Sequence, residues 1–172
     1  YIFIINFIIY NILETSSPSL GTYFPSNLSE AGERGTFVLW ISGTIDIICV
    51  AMLMTINRPE ALNALSFLLL EQIDACLRDV ANSDARVLIV TGAGLKAFCA
   101  GADVTELVGK SPKEHRIGVE RGQGVFEKLS DFRIPTIAMI NGYAFGGGLE
   151  LALACDFRLA SPHATLGFPE IK

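Results

Sequence analysis

Three consecutive glycines, Gly146-Gly147-Gly148, lie between a predicted strand and an apolar helical segment. Glycines at this position let the chain turn sharply and leave backbone amides open to a ligand, because no Cβ stands in the way. The first amides of a helix have no intrahelical acceptor and carry the positive end of the helix dipole. Such amides can stabilise an oxyanion. The alternative is that the glycines only permit close packing, and no Lys-Ser or Lys-Thr follows that would make a phosphate-binding P-loop.

Glu150 is the only charged residue among residues 149–154, which are otherwise apolar. A glutamate there either faces solvent or is a buried carboxyl that is costly without a partner. Burial would raise its pKa and suit it to act as a general base near neutral pH. Because leucines flank it on both sides, the sequence does not decide between these two orientations.

A second loop of small residues, Ala-Phe-Cys-Ala-Gly-Ala-Asp at positions 97–103, also follows a predicted buried strand. Small side chains let a ligand approach the backbone closely, and one amide of this loop could meet an amide from Gly147. Two amides that converge on one oxygen can stabilise an enolate. Taken alone, this segment is also compatible with an ordinary loop between a strand and a helix.

The elements that position these loops alternate between strand and helix patterns. Helical periodicity, with apolar residues at a four-residue step, predicts a helix over residues 65–80 with Ser66 or Asn63 as its N-cap. The uninterrupted apolar run at 87–90 predicts a strand covered on both faces. The remaining predictions are strands at 52–57, 135–140, 157–160 and 164–168, helices at 112–129 and from Gly146 to about Ala154, and a loop at 92–103. This order predicts an α/β fold with parallel neighbouring strands.

The N-terminal third differs from the rest of the chain. Residues 1–12 are apolar but too short to span a membrane, and residues 14–35 are rich in Ser, Pro, Gly and Asn, which is typical of a linker. Residues 36–56 approach the length of a membrane span, but Gly43 and Asp46 interrupt them, so we expect a strand pair that turns near Ser42-Gly43. We therefore expect residues 1–35 to form an atypical extension or linker outside the core, and residues 36–172 to form the core.

Composition excludes several classes of protein. The formal net charge is −5, which argues against a nucleic-acid binder because such proteins carry a basic surface. The cysteines at 49, 76, 99 and 155 form no Cys-X-X-Cys pair and have no histidine at ligand spacing, so a zinc site is not expected. Disulfides are possible but unsupported, and the cysteine pattern favours a reducing compartment.

Four segments together resemble the enoyl-CoA hydratase/isomerase family, also called the crotonase family. They are NRPEALNAL at 57–65, AFCAGAD at 97–103, NGYAFGGGLELALACD at 141–156 and GFPEIK at 167–172, and their order and spacing also match. The resemblance covers residues 51–172. It implies the crotonase (ClpP/crotonase-like) fold, a spiral of ββα units, of which this chain would lack the C-terminal helical region.

The resemblance also implies catalytic roles. The amides of Ala102 and Gly147 would form the oxyanion hole. Glu150 matches the glutamate that activates water, and Glu170 matches the one that delivers a proton to the α-carbon of the substrate. Gly147 is further expected in a backbone conformation that β-branched residues resist. Together these roles predict an enoyl-CoA hydratase, a lyase that adds water to an α,β-unsaturated acyl-CoA thioester in fatty acid β-oxidation.

Binding residues and partners follow from the same resemblance. Ala102, Asp103, Val104 and Thr105 would line the acyl-CoA site with Gly147, and the segment at 57–65 would lie near the CoA moiety. No cofactor is expected, since coenzyme A is part of the substrate. We expect a homo-oligomer, a trimer or a dimer of trimers, in the cytoplasm or an organelle matrix, without nucleic-acid or membrane partners.

Other functions remain open at this stage. The chain could be another crotonase-type enzyme, such as an isomerase, dehydratase, lyase or ring-forming synthase, or a non-catalytic acyl-CoA binder. A ClpP-like serine protease would need a nucleophilic serine at the glycine-rich turn, where this chain has Leu149-Glu150.

Overall fold

A computed structural model describes residues 51–106 and 108–169, together with the backbone of residues 37–41. The strands are β1 Phe37–Ile41, β2 Ala51–Ile56, β3 Val87–Gly92, β4 Ala97–Cys99, β5 Thr136–Ile140, β6 Tyr143–Phe145, β7 Phe157–Ala160 and β8 Thr165–Gly167. The helices are α1 Phe67–Ala81, α2 Pro112–Ser130 and α3 Gly147–Leu153, with short 3-10 helices at Pro59–Ala61 and Val104–Glu106. The extension predicted at residues 1–35 lies outside the described residues.

The strands form two sheets, and the chain alternates between them. The larger sheet has the order β1-β2-β3-β5-β7 and the smaller one the order β4-β6-β8. All neighbours are parallel except β1 and β2, which are antiparallel. From β3 onward, each pair of consecutive strands (β3–β4, β5–β6 and β7–β8) adds one strand to each sheet, and a helix separates one pair from the next. This is the predicted spiral of ββα units, and the α/β prediction is confirmed.

Helix α1 forms where the four-residue periodicity predicts it. Ser66 is the N-cap, and its hydroxyl accepts a hydrogen bond from the Leu69 amide at 3.1 Å. Leu69, Ile73 and Leu77 are all buried along one face. The alternative N-cap, Asn63, is wrong, because its side chain bonds to other loops instead.

Helix α2 forms despite three internal glycines. Ser111 and Glu114 make a capping box, in which each side chain bonds to the backbone of the other. Gly118 has a packing role, since a Cβ there would stand 2.5 Å from Cε1 of Phe67. The ring of Phe67 thus occupies the space that a larger residue at this position would fill.

Ion pairs join α2 to α1 on the surface. Arg121 bonds to Glu71 at 2.6 Å and Lys128 to Asp74 at 2.5 Å. Asp74 also pairs with Arg78 on its own helix. These contacts hold the two helices side by side over one face of the larger sheet.

The larger sheet is covered unequally. In β3, Leu88 and Val90 are fully buried, whereas the alternate residues Val87 and Ile89 are only partly buried. The prediction that this strand is covered on both faces is therefore wrong within the described part of the chain. One face belongs to a continuous core with α1 and α2, and the other has no comparable cover among the described elements.

The N-terminal part of the core agrees only partly with prediction. Residues 37–41 form a strand, but its partner is Ala51–Ile56, and the turn expected near Ser42-Gly43 lies outside the described residues. No described helix is both long and apolar enough for a membrane crossing. Strands β4 and β6 were not predicted, and β4 lies inside the segment predicted to be a loop.

Candidate active site

The glycine-rich turn and the small-residue loop meet at an unusually close contact. A Cβ on Gly148 would lie 2.1 Å from the carbonyl oxygen of Cys99, so only glycine fits there. The preceding Gly146 has φ 47°, a left-handed conformation that favours glycine, and its amide donates to the carbonyl of Gly167 at 3.0 Å. The predicted special backbone conformation therefore belongs to Gly146 and not to Gly147, which lies within α3.

A single parallel β-bridge fixes the direction of the Ala102 amide. Leu65 donates its amide proton to Gly101 O at 2.8 Å and accepts from the Asp103 amide at 2.9 Å. In a parallel bridge, the residue between these two partners points its own N–H to the opposite side. The Ala102 amide is thus directed away from Leu65.

Three polar groups surround one point, the position that a Cβ of Gly147 would occupy. Ala102 N lies 3.8 Å from this point and Glu150 Oε2 lies 3.9 Å from it. The amide nitrogen of Gly147 is about 2.5 Å away by covalent geometry. Within the described residues, neither the Ala102 amide nor the Gly147 amide donates a hydrogen bond to a protein acceptor. Two amides without a protein acceptor among the described residues and one carboxylate oxygen therefore lie within 3.9 Å of this point, beside Leu65 Cδ1 at 3.4 Å.

The two predicted glutamates differ in what the structure describes. Glu150 lies in the first turn of α3 and is exposed, so the buried orientation considered from sequence does not occur. Its side chain nonetheless curls back toward the start of the helix, where its carboxylate reaches the space in front of Gly147. Glu170 lies outside the described residues.

The predicted lining residues after Ala102 have separate roles. The carboxylate of Asp103 accepts hydrogen bonds from the Thr105 hydroxyl at 2.6 Å and from the Thr105 amide at 3.1 Å. The hydrogen bonds from Thr105, together with the one from Arg58, hold the pKa of Asp103 below its usual range. Desolvation acts in the opposite direction but does not outweigh them. Val104 and Thr105 are exposed. Both carboxylate oxygens of Asp103 already accept hydrogen bonds within the protein, and the Thr105 hydroxyl donates one of them.

Sequence reasoning missed Arg58, which joins both sides of the β-bridge. Its Nη1 donates to Ala64 O at 2.7 Å, and its Nη2 donates to Asp103 Oδ2 at 2.9 Å. The side chains of Arg58 and Asp103 are 22% and 11% exposed. The sequence around Arg58 gives no signal for these contacts. One partner, Asp103, is distant along the chain, and the other is a backbone carbonyl, which every residue has.

Asn63 was also missed as a residue of the site's framework. It is fully buried with φ 59°, and its Nδ2 donates to Ala93 O at 3.0 Å and to Ala97 O at 2.8 Å. Its Oδ1 accepts from the Arg58 amide at 2.9 Å. The side chain thus satisfies three backbone groups and ties the loop at 57–65 to both ends of the loop before β4.

The buried thiols give no sign of reactive chemistry. Cys76, Cys99 and Cys155 are free, and desolvation by burial raises the pKa of each thiol to about 12. Thiols with such values stay protonated and pack as small hydrophobic side chains. Among the described residues, His, Cys, Asp and Glu form no cluster that could hold a metal ion.

Comparison of the chain with known proteins identifies its relatives. The family model for enoyl-CoA hydratase/isomerase matches residues 49–172. A short-chain-enoyl-CoA hydratase from Clostridium acetobutylicum is 44% identical over 119 residues, which are 69% of this chain and 46% of that protein. A crotonyl-CoA hydratase from Syntrophomonas wolfei is 44% identical over 117 residues, or 67% of this chain and 45% of that protein. The chain thus spans about half the length of these curated relatives.

Solved structures agree with this result. The crystal structure of an enoyl-CoA hydratase from Bacillus anthracis aligns with a TM-score of 0.70 at 40% identity, covering 77% of this chain and 50% of that one. An enoyl-CoA hydratase from Thermoplasma volcanium aligns with a TM-score of 0.68 at 33% identity, covering 77% and 51%. The ββα spiral is therefore shared with enzymes of known structure.

Proposed function

The chain belongs to the enoyl-CoA hydratase/isomerase family, and on that premise we propose that the protein hydrates an α,β-unsaturated acyl-CoA thioester. The space in front of Gly147 carries this proposal. There, the amides of Ala102 and Gly147 and the carboxylate of Glu150 lie around one point. Addition of water to a conjugated thioester needs donors for the carbonyl oxygen, a base for the water and an acid for the α-carbon, and the groups around this point can serve as the first two.

The two amides would act on the thioester carbonyl. As the water oxygen bonds to the β-carbon, electrons move toward the carbonyl oxygen, which becomes an enolate. Donors aimed in advance at this oxygen stabilise the developing charge, and removing one such donor from an enzyme typically costs roughly 10²–10³-fold in rate. Two observations support this role: the parallel bridge turns the Ala102 amide away from Leu65, and neither this amide nor that of Gly147, at the start of α3, has a protein acceptor among the described residues.

The carboxylate would act on water. Glu150 takes a proton from the attacking water, whose remaining hydroxyl bonds to the β-carbon. Glu170, assigned by its place in the Phe-Pro-Glu segment, gives a proton to the α-carbon as the enolate collapses. The product gains one hydroxyl and one hydrogen, so the reaction is balanced without an oxidant or reductant. We assign no cofactor beyond the coenzyme A of the substrate.

We place the acyl-CoA beside the Leu65–Ala102 β-bridge. Ala102 contributes its amide to the carbonyl, while Val104 and Thr105 are exposed next to it and available to the ligand. Asp103 contributes through its backbone, since its carboxylate bonds to Arg58 and Thr105. We also propose that the protein forms the homo-oligomer expected from the resemblance.

The direct test is incubation of the intact protein with crotonyl-CoA. Hydration removes the conjugation between the double bond and the thioester, so we expect loss of the enoyl thioester absorbance and a product heavier by one water in mass spectrometry. A β,γ-unsaturated acyl-CoA serves as the comparison substrate. If the protein instead converts this substrate to the conjugated isomer and leaves crotonyl-CoA unchanged, the isomerase alternative replaces the hydratase proposal.

A further inference from the structure

The guanidinium of Arg58 clamps the two segments that carry the Leu65–Ala102 bridge. One arm bonds to the carbonyl of Ala64 and the other to the carboxylate of Asp103. These partners are the residues immediately before Leu65 and immediately after Ala102. The clamp therefore closes beside the single bridge that directs the Ala102 amide.

The bridge needs such support because it is isolated. A strand pair several residues long shares its register among many hydrogen bonds, whereas the Leu65–Ala102 bridge has only two, and besides it the Ala100 amide donates to Leu62 O at 3.1 Å. The Arg58 contacts lie at the end of this short pairing that carries the Ala102 amide. A shift of either segment would turn the Ala102 amide relative to Gly147. A displacement of about 1 Å in a catalytic group can cost roughly 10²-fold in rate.

We propose that Arg58, acting through Asp103, is a positioning residue that holds the Ala102 amide in line with the substrate carbonyl. This inference rests on the proposed function, since it concerns the oxyanion site of that reaction. Arg58 itself would not touch the reacting atoms. It sets where one of the two donors points.

Arginine suits this role better than lysine. Its planar fork presents donors in fixed directions and reaches two acceptors at once, while a lysine ammonium acts as a flexible point charge. At 22% side-chain exposure for Arg58 and 11% for Asp103, the pair is also only weakly screened by solvent. Arg58→Lys should therefore keep the charge near Asp103 and lose the second arm to Ala64.

The test compares Arg58→Gln and Arg58→Lys with Lys128→Gln in the intact protein. Lys128→Gln is the matched control, because it removes the ion pair to Asp74 between α1 and α2, away from the site. Two quantities are measured for each folded variant: kcat and KM for crotonyl-CoA, and the absorption shift of bound para-dimethylaminocinnamoyl-CoA. This thioester absorbs at longer wavelength when hydrogen bonds polarise its carbonyl, so the shift reports the amides directly.

We expect both Arg58 variants to lower kcat by roughly 10- to 100-fold with little change in KM, and to reduce the absorption shift. Lys128→Gln should change neither. Arg58 variants with the full shift and normal kcat would overturn the inference, as would equal losses in Lys128→Gln. If Arg58→Gln does not fold, Arg58→Lys decides alone. If the unaltered protein neither hydrates crotonyl-CoA nor shifts the probe, the proposed function itself fails, and this inference fails with it.

Discussion

Gly148 and Cys99 approach so closely that a Cβ on Gly148 would lie 2.1 Å from the carbonyl oxygen and 2.7 Å from the carbonyl carbon of Cys99. The contact joins the start of α3 to the end of β4. It brings together the two loops that carry the open amides, so the close packing and the candidate site have one common cause.

Gly148→Ala is expected to disrupt both folding and activity. The added methyl would overlap backbone atoms, which cannot move aside as a flexible side chain can, and overpacking of this kind typically costs about 1–3 kcal/mol or more. We expect a lower melting temperature and loss of hydratase turnover. Gly124→Ala in α2 is the control, because a Cβ there meets nothing within 4 Å. It should leave turnover unchanged and raise stability by up to about 1 kcal/mol. A stable, active Gly148→Ala protein would contradict the described packing.

Gly147→Ala is expected to separate activity from folding. A Cβ at this position would stand 3.4 Å from Leu65 Cδ1 and 3.8 Å from Ala102 N, which are ordinary contacts, so the protein should fold and melt normally. The methyl would nevertheless fill the space proposed for the thioester oxygen. We expect turnover of crotonyl-CoA to fall by roughly 10²–10³-fold. Circular dichroism and steady-state kinetics on the same sample check this, and normal turnover would place the oxygen elsewhere.

Glu150→Gln is expected to remove proton transfer while keeping shape. Loss of a general base typically costs roughly 10²–10⁴-fold in turnover, and binding of a non-reactive acyl-CoA should be nearly unchanged. Glu127→Gln is the control, because Glu127 is also an exposed glutamate but lies on α2, and this variant should behave like the unaltered protein. The same substitution at Glu170 should also lower turnover. Near-normal kcat in either site variant would refute the role assigned to that residue.

The sequence predicted the elements with long or strongly patterned segments. Helix α1 has three buried residues, Leu69, Ile73 and Leu77, at a four-residue step, and strands β3 and β5 contain apolar runs, so the local pattern predicts that these elements exist. The run in β3 did not predict which of its faces is covered, because that depends on the elements packed against the sheet. Strands β4 and β6 have three residues each, which is too short to carry a period. They form because each pairs with the other from a distant part of the chain, and this pairing leaves no local signal.

The residues of the candidate site were predicted from a family resemblance, but their orientations and contacts could be described only once the fold was known. The orientation of Glu150 could not be deduced, because leucines flank it on both sides and the helix start decides where the carboxylate turns. Asn63 and Arg58 escaped notice for a related reason. Apart from Ala64 O in their own loop, their side-chain donors bond to the distant Asp103 carboxylate and to the carbonyls of Ala93 and Ala97, and such contacts depend on tertiary structure.

Asp74→Asn is expected to reduce stability at neutral pH but not in acid. The hydrogen bond from Lys128, together with the one from Arg78, holds the pKa of Asp74 below its usual value. Desolvation raises this pKa but does not outweigh the two bonds. A carboxyl with a lowered folded-state pKa contributes stability above its unfolded pKa of about 3.9, and this contribution is lost as pH falls through the folded value. We expect Asp74→Asn to cost about 0.5–1 kcal/mol at neutral pH.

Thermal melts across pH check this prediction. The difference in melting temperature between the unaltered protein and Asp74→Asn should be constant at neutral pH and shrink below about pH 4. Asp84→Asn controls for the loss of one negative charge, since Asp84 is exposed and has no ion pair among the described residues. A difference that grows toward low pH would contradict the sign of the argument.

One face of the larger sheet carries apolar side chains on its last two strands, β5 and β7. Ile137 of β5 pairs with Phe157 of β7, and Met139 pairs with Leu159, so all four side chains lie on the same face. Ile137 and Met139 are half-buried, while Phe157 and Leu159 are 59% and 41% exposed. Parallel sheets are normally covered on both faces. This face, together with the unpaired outer edge of β7, is therefore open in the described part of the chain.

The last prediction is that this 172-residue chain self-associates through that face. Large exposed apolar patches and open strand edges favour contact with other chains over contact with water. We expect light scattering to show concentration-dependent association, and a dye that fluoresces on apolar surfaces to bind. The double variant Phe157→Lys/Leu159→Lys should suppress both, because it places charge on the face and beside the open edge. Leu95→Lys is the control, since Leu95 is 87% exposed in the loop between β3 and β4, away from β7. It should leave association unchanged. A monodisperse monomer that binds no dye would mean that this face is covered by another part of the chain.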